Sequence, residues 1–130
     1  MRHGVSLPLW GGPGSGYLYH VRVAAPRVPT IDVTQLRARL AGDPKPFLLD
    51  VREPWEYDAG HVPEATLIPL GELQQRVAEV PRNRPVLAIC HSGQRSLAAA
   101  AYLLRLGYPE VSNVDGGTAA WIERGYPIAR

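Results

Sequence analysis

From residue 29 onward, apolar residues fall into short continuous runs that alternate with helical spacings. Phe47-Leu48-Leu49-Asp50-Val51 and Pro85-Val86-Leu87-Ala88-Ile89 show no polar alternation, the pattern of strands covered on both faces. Thr30-Ile31, Thr66-Leu67-Ile68 and Val111 to Val114 predict three further strands. Between them, Val33, Leu36 and Leu40 recur at helical spacing behind a cap at Asp32 or Thr34, and Gly42-Asp43-Pro44 ends the run. A short helical turn is predicted over Arg52 to Tyr57 and a second helix over Leu70, Leu73, Val77 and Val80, stopped by Pro81. A third is predicted from about Gln94 to Leu106, ended by Gly107, and a last one over Thr118 to Arg124 after Gly116-Gly117. Strands and helices alternating at such short intervals imply parallel pairing with helices on both faces, so the fold class is α/β.

Residues 1 to 28 lack this regularity and read as a Gly/Pro-rich extension ahead of a domain over 29 to 130. Gly-Gly-Pro-Gly-Ser-Gly at 11 to 16 cannot hold a helix, and without a following Gly-Lys-Ser/Thr it does not make a phosphate loop. Tyr17, Tyr19, Val21 and Val23 alternate onto one face, which predicts a short strand or arm.

Composition narrows the function classes. A chain of 130 residues, 45% hydrophobic and 20% charged, makes one ordinary globular domain. A net charge of +2 without a basic run argues against a nucleic-acid partner. Pro8, Gly11, Gly12 and Pro13 interrupt any early apolar segment, so neither membrane insertion nor secretion is expected and a cytoplasmic location is the default. The single cysteine excludes an internal disulfide, dithiol chemistry and a cysteine zinc cluster, while His3, His20, His61 and His91 lack ligand spacing. No metal or cofactor is implied, and the oligomeric state is not legible.

That cysteine opens Cys90-His91-Ser92-Gly93-Gln94-Arg95-Ser96, a polar loop between a buried strand and an alanine-rich helix. Unpaired amides at a helix N-terminus favour a thiolate over a thiol and attract anions, which makes Cys90 a candidate nucleophile. Arg95 supplies a fixed positive charge for an anionic ligand, and His91 a positive potential or a base. Ser92 and Ser96 are candidate hydrogen bonders of the loop, with Ser96 aimed toward the thiolate. Ligands of such sheets bind beyond the carboxyl ends of the strands, where Asp50 and Cys90 both fall. The loop alone fits a redox sensor, a phosphatase or a sulfur carrier.

A longer pattern separates these. Asp50-Val51-Arg52-Glu53-Pro54, Glu56-Tyr57, Gly60-His61-Val62-Pro63 and Ile68-Pro69, then the loop from Cys90 to Ser96, then Gly107-Tyr108, then Gly116-Gly117 and Trp121 resemble the single-domain rhodaneses in order and spacing. The resemblance covers roughly residues 29 to 130. It implies a three-layer fold with a five-stranded, mostly parallel sheet. It also implies a sulfurtransferase whose Cys90 takes a sulfane sulfur from a small anionic donor such as thiosulfate and passes it to a thiol or protein, or to cyanide in the assay. Amides from His91 to Ser96, including those of Gly93 and Gln94, would cradle the persulfide. Asp50 and Arg52 would lie beside the loop as bracing groups, and His61 would brace its own loop through its ring nitrogens. Trp121 and Tyr108 would pack in the core or at the rim. Glu56 departs from the two-domain thiosulfate sulfurtransferases, which commonly have a cation there, and this counts against thiosulfate as the physiological donor. Two other readings share the fold: a non-enzymatic binding or persulfide-carrier module, and a dual-specificity phosphatase. The phosphatases use a Cys-to-Arg loop one residue longer, whereas only four residues separate Cys90 from Arg95.

Overall fold

The structure, a computed structural model, describes residues 26–130. The strand expected over Tyr17 to Val23 lies outside the described residues. Strands β1 (Thr30–Ile31), β2 (Phe47–Asp50), β3 (Ala65–Leu67), β4 (Val86–Ile89) and β5 (Val111–Val114) form one five-stranded sheet in the order β1-β5-β4-β2-β3. Every pairing is parallel. The helices between them are α1 (Val33–Leu40), α2 (Pro54–Ala59), α3 (Leu73–Arg76), α4 (Gln94–Arg105) and α5 (Gly117–Glu123).

The continuous apolar runs follow from the two cores they serve. Successive strand side chains point to opposite faces. Leu48, Leu87 and Ile89 accordingly join Val33, Leu36 and Leu40 of α1 and Trp121 of α5. Leu49, Val86 and Ala88 join Leu73 of α3 and Ala99, Ala100 and Leu103 of α4 on the other face. Leu36, Leu48, Leu49 and Ile89 are essentially inaccessible, and each such side chain contributes about 2 kcal/mol relative to exposure. The small residues Ala99 and Ala100, both fully buried, let α4 lie close to the sheet.

Local boundaries differ from expectation where tertiary bonds intervene. Asp32, not Thr34, caps α1, in a reciprocal capping box with Gln35. The strand expected over Thr66 to Ile68 begins one residue earlier. Instead of one continuous helix through Leu70 to Val80, a 3-10 turn (Leu70–Glu72), the four residues of α3 and a second 3-10 turn (Val77–Glu79) follow one another. Gly71 weakens the first turn, and the Tyr108 hydroxyl lies within hydrogen-bonding distance of the carbonyls of Val80 at 2.7 Å and Val77 at 3.1 Å. The apolar spacing therefore identifies the buried face correctly but not a regular helix. The last residues also fold back: Ala129 exchanges both backbone hydrogen bonds with His61, at 2.8 and 3.0 Å, and the Trp121 indole donates to the Pro127 carbonyl at 2.7 Å.

The sheet brings the chemistry to one rim. Asp50 ends β2 directly opposite Ile89 of the adjacent β4, and Cys90 is the next residue. Beyond it, α5 begins against the same loop, where Thr118 N–H donates to the Cys90 carbonyl at 2.8 Å and Ala119 N–H to that of His91 at 3.0 Å. Only a glycine permits this approach. A β-carbon at Gly117, whose φ is +56°, would collide with the carbonyl oxygens of Cys90 and His91. Gly117→Ala should therefore lose about 3 kcal/mol or more of stability in urea denaturation, from left-handed backbone strain plus overpacking. Gly125→Ala, at a φ of +72° with nothing near the added carbon, should lose only the strain, roughly 1–2 kcal/mol. Equal losses at the two positions would show that the close approach carries no weight.

Candidate active site

Cys90 lies at the N-terminus of α4, where amides without helical partners converge on its sulfur. Gly93 N–H donates to Sγ at 3.1 Å and the Ser96 hydroxyl donates at 3.3 Å. The side chain is only 1% exposed. Burial, the largest single influence, pushes the thiol toward the neutral form. The Ser96 hydroxyl, then the amides of Ser96, Gly93 and Ser92, favour the thiolate and together prevail, so Cys90 is more acidic than an ordinary thiol. The field of the 12-residue α4 acts in the same sense. The loop is fixed from outside by Asn113 on β5, whose side-chain amide donates to the Gly93 carbonyl at 3.1 Å. Asn113 Oδ1 and Thr118 Oγ1, both adjoining this loop, are buried without a hydrogen-bond partner.

Asp50 and Arg52 form a buried pair, 0% and 4% exposed. Arg52 donates to Asp50 through Nε at 3.0 Å and through a terminal nitrogen at 2.9 Å. The same guanidinium reaches the carbonyls of Gly60 at 2.9 Å and Glu56 at 3.3 Å. The pair therefore ties the end of β2 to the middle of α2 and to Gly60 at its C-terminus, and neither partner hydrogen-bonds the sulfur. His61 lies with Nδ1 at 2.7 Å from the Tyr57 carbonyl, which can only accept, so Nδ1 carries the proton. Its ring stacks on Tyr57 with centroids 3.6 Å apart. Ser92, Gln94 and the imidazole of His91 are exposed. Among the described residues the His91 ring makes no hydrogen bond, and Ser92 acts through its amide rather than its hydroxyl.

Arg95 departs from the expectation of a cation free to hold a donor anion. Its two terminal nitrogens donate to the two carboxylate oxygens of Glu56 at 2.8 and 2.9 Å, a parallel two-bond pairing across the gap between α2 and α4. The Glu56 pKa is lowered to about 2, first by Arg95, against the opposing effect of burial, with the Glu53 amide and the charge of Arg52 assisting. The hydrogen bonds to the sulfur come instead from the Ser96 hydroxyl and the loop amides.

A depression of about 410 Å³ opens here, lined by Trp55, Glu56, His91, Arg95, Thr118 and Ile122 among others. Trp55 and Ile122 are 72% and 48% exposed, giving the mouth an apolar rim. A larger depression of about 580 Å³ lies at the other end of the sheet, beside Pro44, Pro85 and Glu110. It is lined by no residue of the loop from Cys90 to Ser96, whereas His91 and Arg95 of that loop line the smaller one, so the chemistry belongs there. Asn113 and Thr118 carry no sequence signal of a site role, because each acts through a contact set by the fold. The Gly116-Gly117 pair was the readable trace of the close approach that places Thr118.

Residues 32–124 match the rhodanese-like domain family. A protein named sulfurtransferase from Allochromatium vinosum is 41% identical over 101 residues, covering 78% of this chain and 94% of the relative. The Bacillus subtilis protein named "Putative sulfur carrier protein YrkF" is 36% identical over 102 residues, 78% of this chain and 55% of that one. The crystal structure of a rhodanese-related protein from Thermoplasma volcanium superposes with a TM-score of 0.72 at 34% identity, covering 78% of this chain and 97% of the other. With a matching parallel sheet, a loop built around one cysteine, and sulfur-handling relatives along most of its length, this chain belongs to the rhodanese-like domain family.

Proposed function

We propose that the protein is a sulfurtransferase that carries sulfane sulfur as a persulfide on Cys90. The observation that carries this reading is the set of donors aimed at a single buried sulfur: the amides of Ser92, Gly93 and Ser96 and the Ser96 hydroxyl. A thiolate is needed twice, as the attacking group and as the leaving group, and the same donors stabilise it in both roles.

In the first step Cys90 thiolate attacks the outer sulfur of a donor such as thiosulfate. The donor's S–S bond breaks, a new S–S bond forms at Sγ, and sulfite leaves with the electron pair. The negative outer sulfur then stands at the pocket mouth within the field of the loop amides. In the second step a thiol, a protein thiol, or cyanide in the assay attacks that sulfur, and Cys90 departs as thiolate. Asp50, Arg52 and His61 act by holding the neighbouring backbone and not by transferring protons. The apolar rim of Trp55 and Ile122 suits a protein acceptor. The sulfur-carrier name of one relative supports a variant in which the persulfide is delivered only to a protein partner. Both versions pass through the same adduct.

Treatment with a sulfane-sulfur donor should add the mass of one sulfur atom to Cys90, with no addition in Cys90→Ala. Intact-protein mass spectrometry checks this, and an unmodified cysteine with every common donor would sink the proposal. Iodoacetamide alkylation of Cys90 should remain fast below the pH at which an ordinary thiol loses reactivity, because the thiolate persists there. Ser96→Ala should move the midpoint of that rate profile upward, since it removes a hydrogen bond made to the anion. An unchanged midpoint would mean that the hydroxyl does not hold the charge.

A further inference from the structure

The pairing of Arg95 with Glu56 has a chemical consequence that rests on the sulfurtransferase reading above. A guanidinium grips an oxyanion through pairs of parallel N–H bonds, and the pair formed by its two terminal nitrogens is the one that points outward from the end of the side chain. On Arg95 that outward pair is already filled by both oxygens of Glu56, whose charge also opposes an anion approaching the remaining edge. The Glu56 side chain is only 12% exposed and Arg95 38%, so the carboxylate is largely covered while the guanidinium stays partly open, and both line the pocket. A dianionic sulfonate entering this pocket meets a carboxylate where the cation would otherwise receive it, and must displace that carboxylate or bind beside it. A donor whose leaving group carries no second charge meets no such cost.

We propose that Glu56 is a specificity-determining residue: by occupying Arg95 it disfavours dianionic donors such as thiosulfate and leaves the pocket to organic persulfides of low charge. With such a donor, RS–SH, the Cys90 thiolate attacks the outer sulfur, the RS–S bond breaks, and RS⁻ leaves with the electron pair. The new persulfide keeps the proton or releases it to solvent, so atoms and charge balance without a further reactant. The carboxylate stays ionised throughout the working pH range, since its pKa is lowered to about 2. Mild acid therefore does not free Arg95; only substitution does.

Glu56→Gln is the informative change. Glu56 is also the residue whose side chain accepts from the Glu53 amide at 2.9 Å in the α2 capping box. The oxygen of glutamine keeps that bond while its charge is lost. Steady-state transfer to cyanide is compared for thiosulfate and for the persulfide of an uncharged small thiol, in the full chain. Glu56→Gln should lower KM for thiosulfate roughly tenfold, the order of one charge-assisted contact, while kcat/KM for the neutral persulfide stays within about twofold. Adding Arg95→Gln should remove the gain. Glu56→Asp, which retains the charge, should keep the wild-type order of donors, and this measurement stands even if the glutamine variant folds poorly. The inference is overturned if both donors change by the same factor, if thiosulfate does not improve although Cys90 is sulfurated, if the gain survives without Arg95, or if Glu56→Asp alone reverses the order. If neither donor sulfurates Cys90 in the wild type, the transferase reading itself fails and this inference falls with it.

Discussion

The structure depends on how a buried sulfur is reconciled with a negative charge. Removing a thiolate from water is costly, and at Cys90 burial alone would keep the proton on. Four donors reverse that balance, three of them main-chain amides whose direction is set by the path of the loop into α4. Side chains can be replaced singly, but amides move only with the backbone. The fold must therefore hold about seven residues of loop in one conformation before any chemistry is available.

The remainder of the molecule supplies that constraint from three sides. Parallel pairing of β4 with β2 and β5 fixes where the loop begins. From β5, Asn113 reaches the Gly93 carbonyl, and from α5 the first amides reach the carbonyls of Cys90 and His91. On the β2 side, Asp50 and Arg52 bind the α2 segment to the sheet, which in turn brings Glu56 against Arg95. A buried ion pair is weak evidence for stability. Here its geometric consequence is clearer: one guanidinium contacts two separate carbonyls as well as its carboxylate, so the approach of α2 to the pocket has little latitude.

The parallel α/β arrangement was legible because two apolar runs without alternation require cover on both faces, and the helical spacings between them supply it. The Cys90 loop was equally legible, since a lone cysteine between a buried strand and a Gly-Gln-Arg-Ser helix start leaves few structural roles. The fate of Arg95 was not. An arginine at a helix start reads as an anion site unless its partner is known, and Glu56 lies 39 residues away in sequence. The departure at Glu56 was visible, but its contact depends on tertiary packing. Asn113 was hidden for a similar reason: an asparagine in a buried strand gives no periodic signal. The irregular segment from Leu70 to Val80 escaped because its apolar spacing matches a helix while Tyr108 and Gly71 set the backbone.

The near-complete burial of Cys90 also has a directional consequence. The Gly93 amide and the Ser96 hydroxyl hold the sulfur, and almost none of the residue meets solvent. A reagent that bonds to Sγ must therefore reach a largely covered atom, and the surrounding chain limits the bulk it can carry there. Shape thus acts as a filter on reagents independently of charge. A covered sulfur of this kind favours a slim terminal atom on an extended arm over a bulky or branched centre.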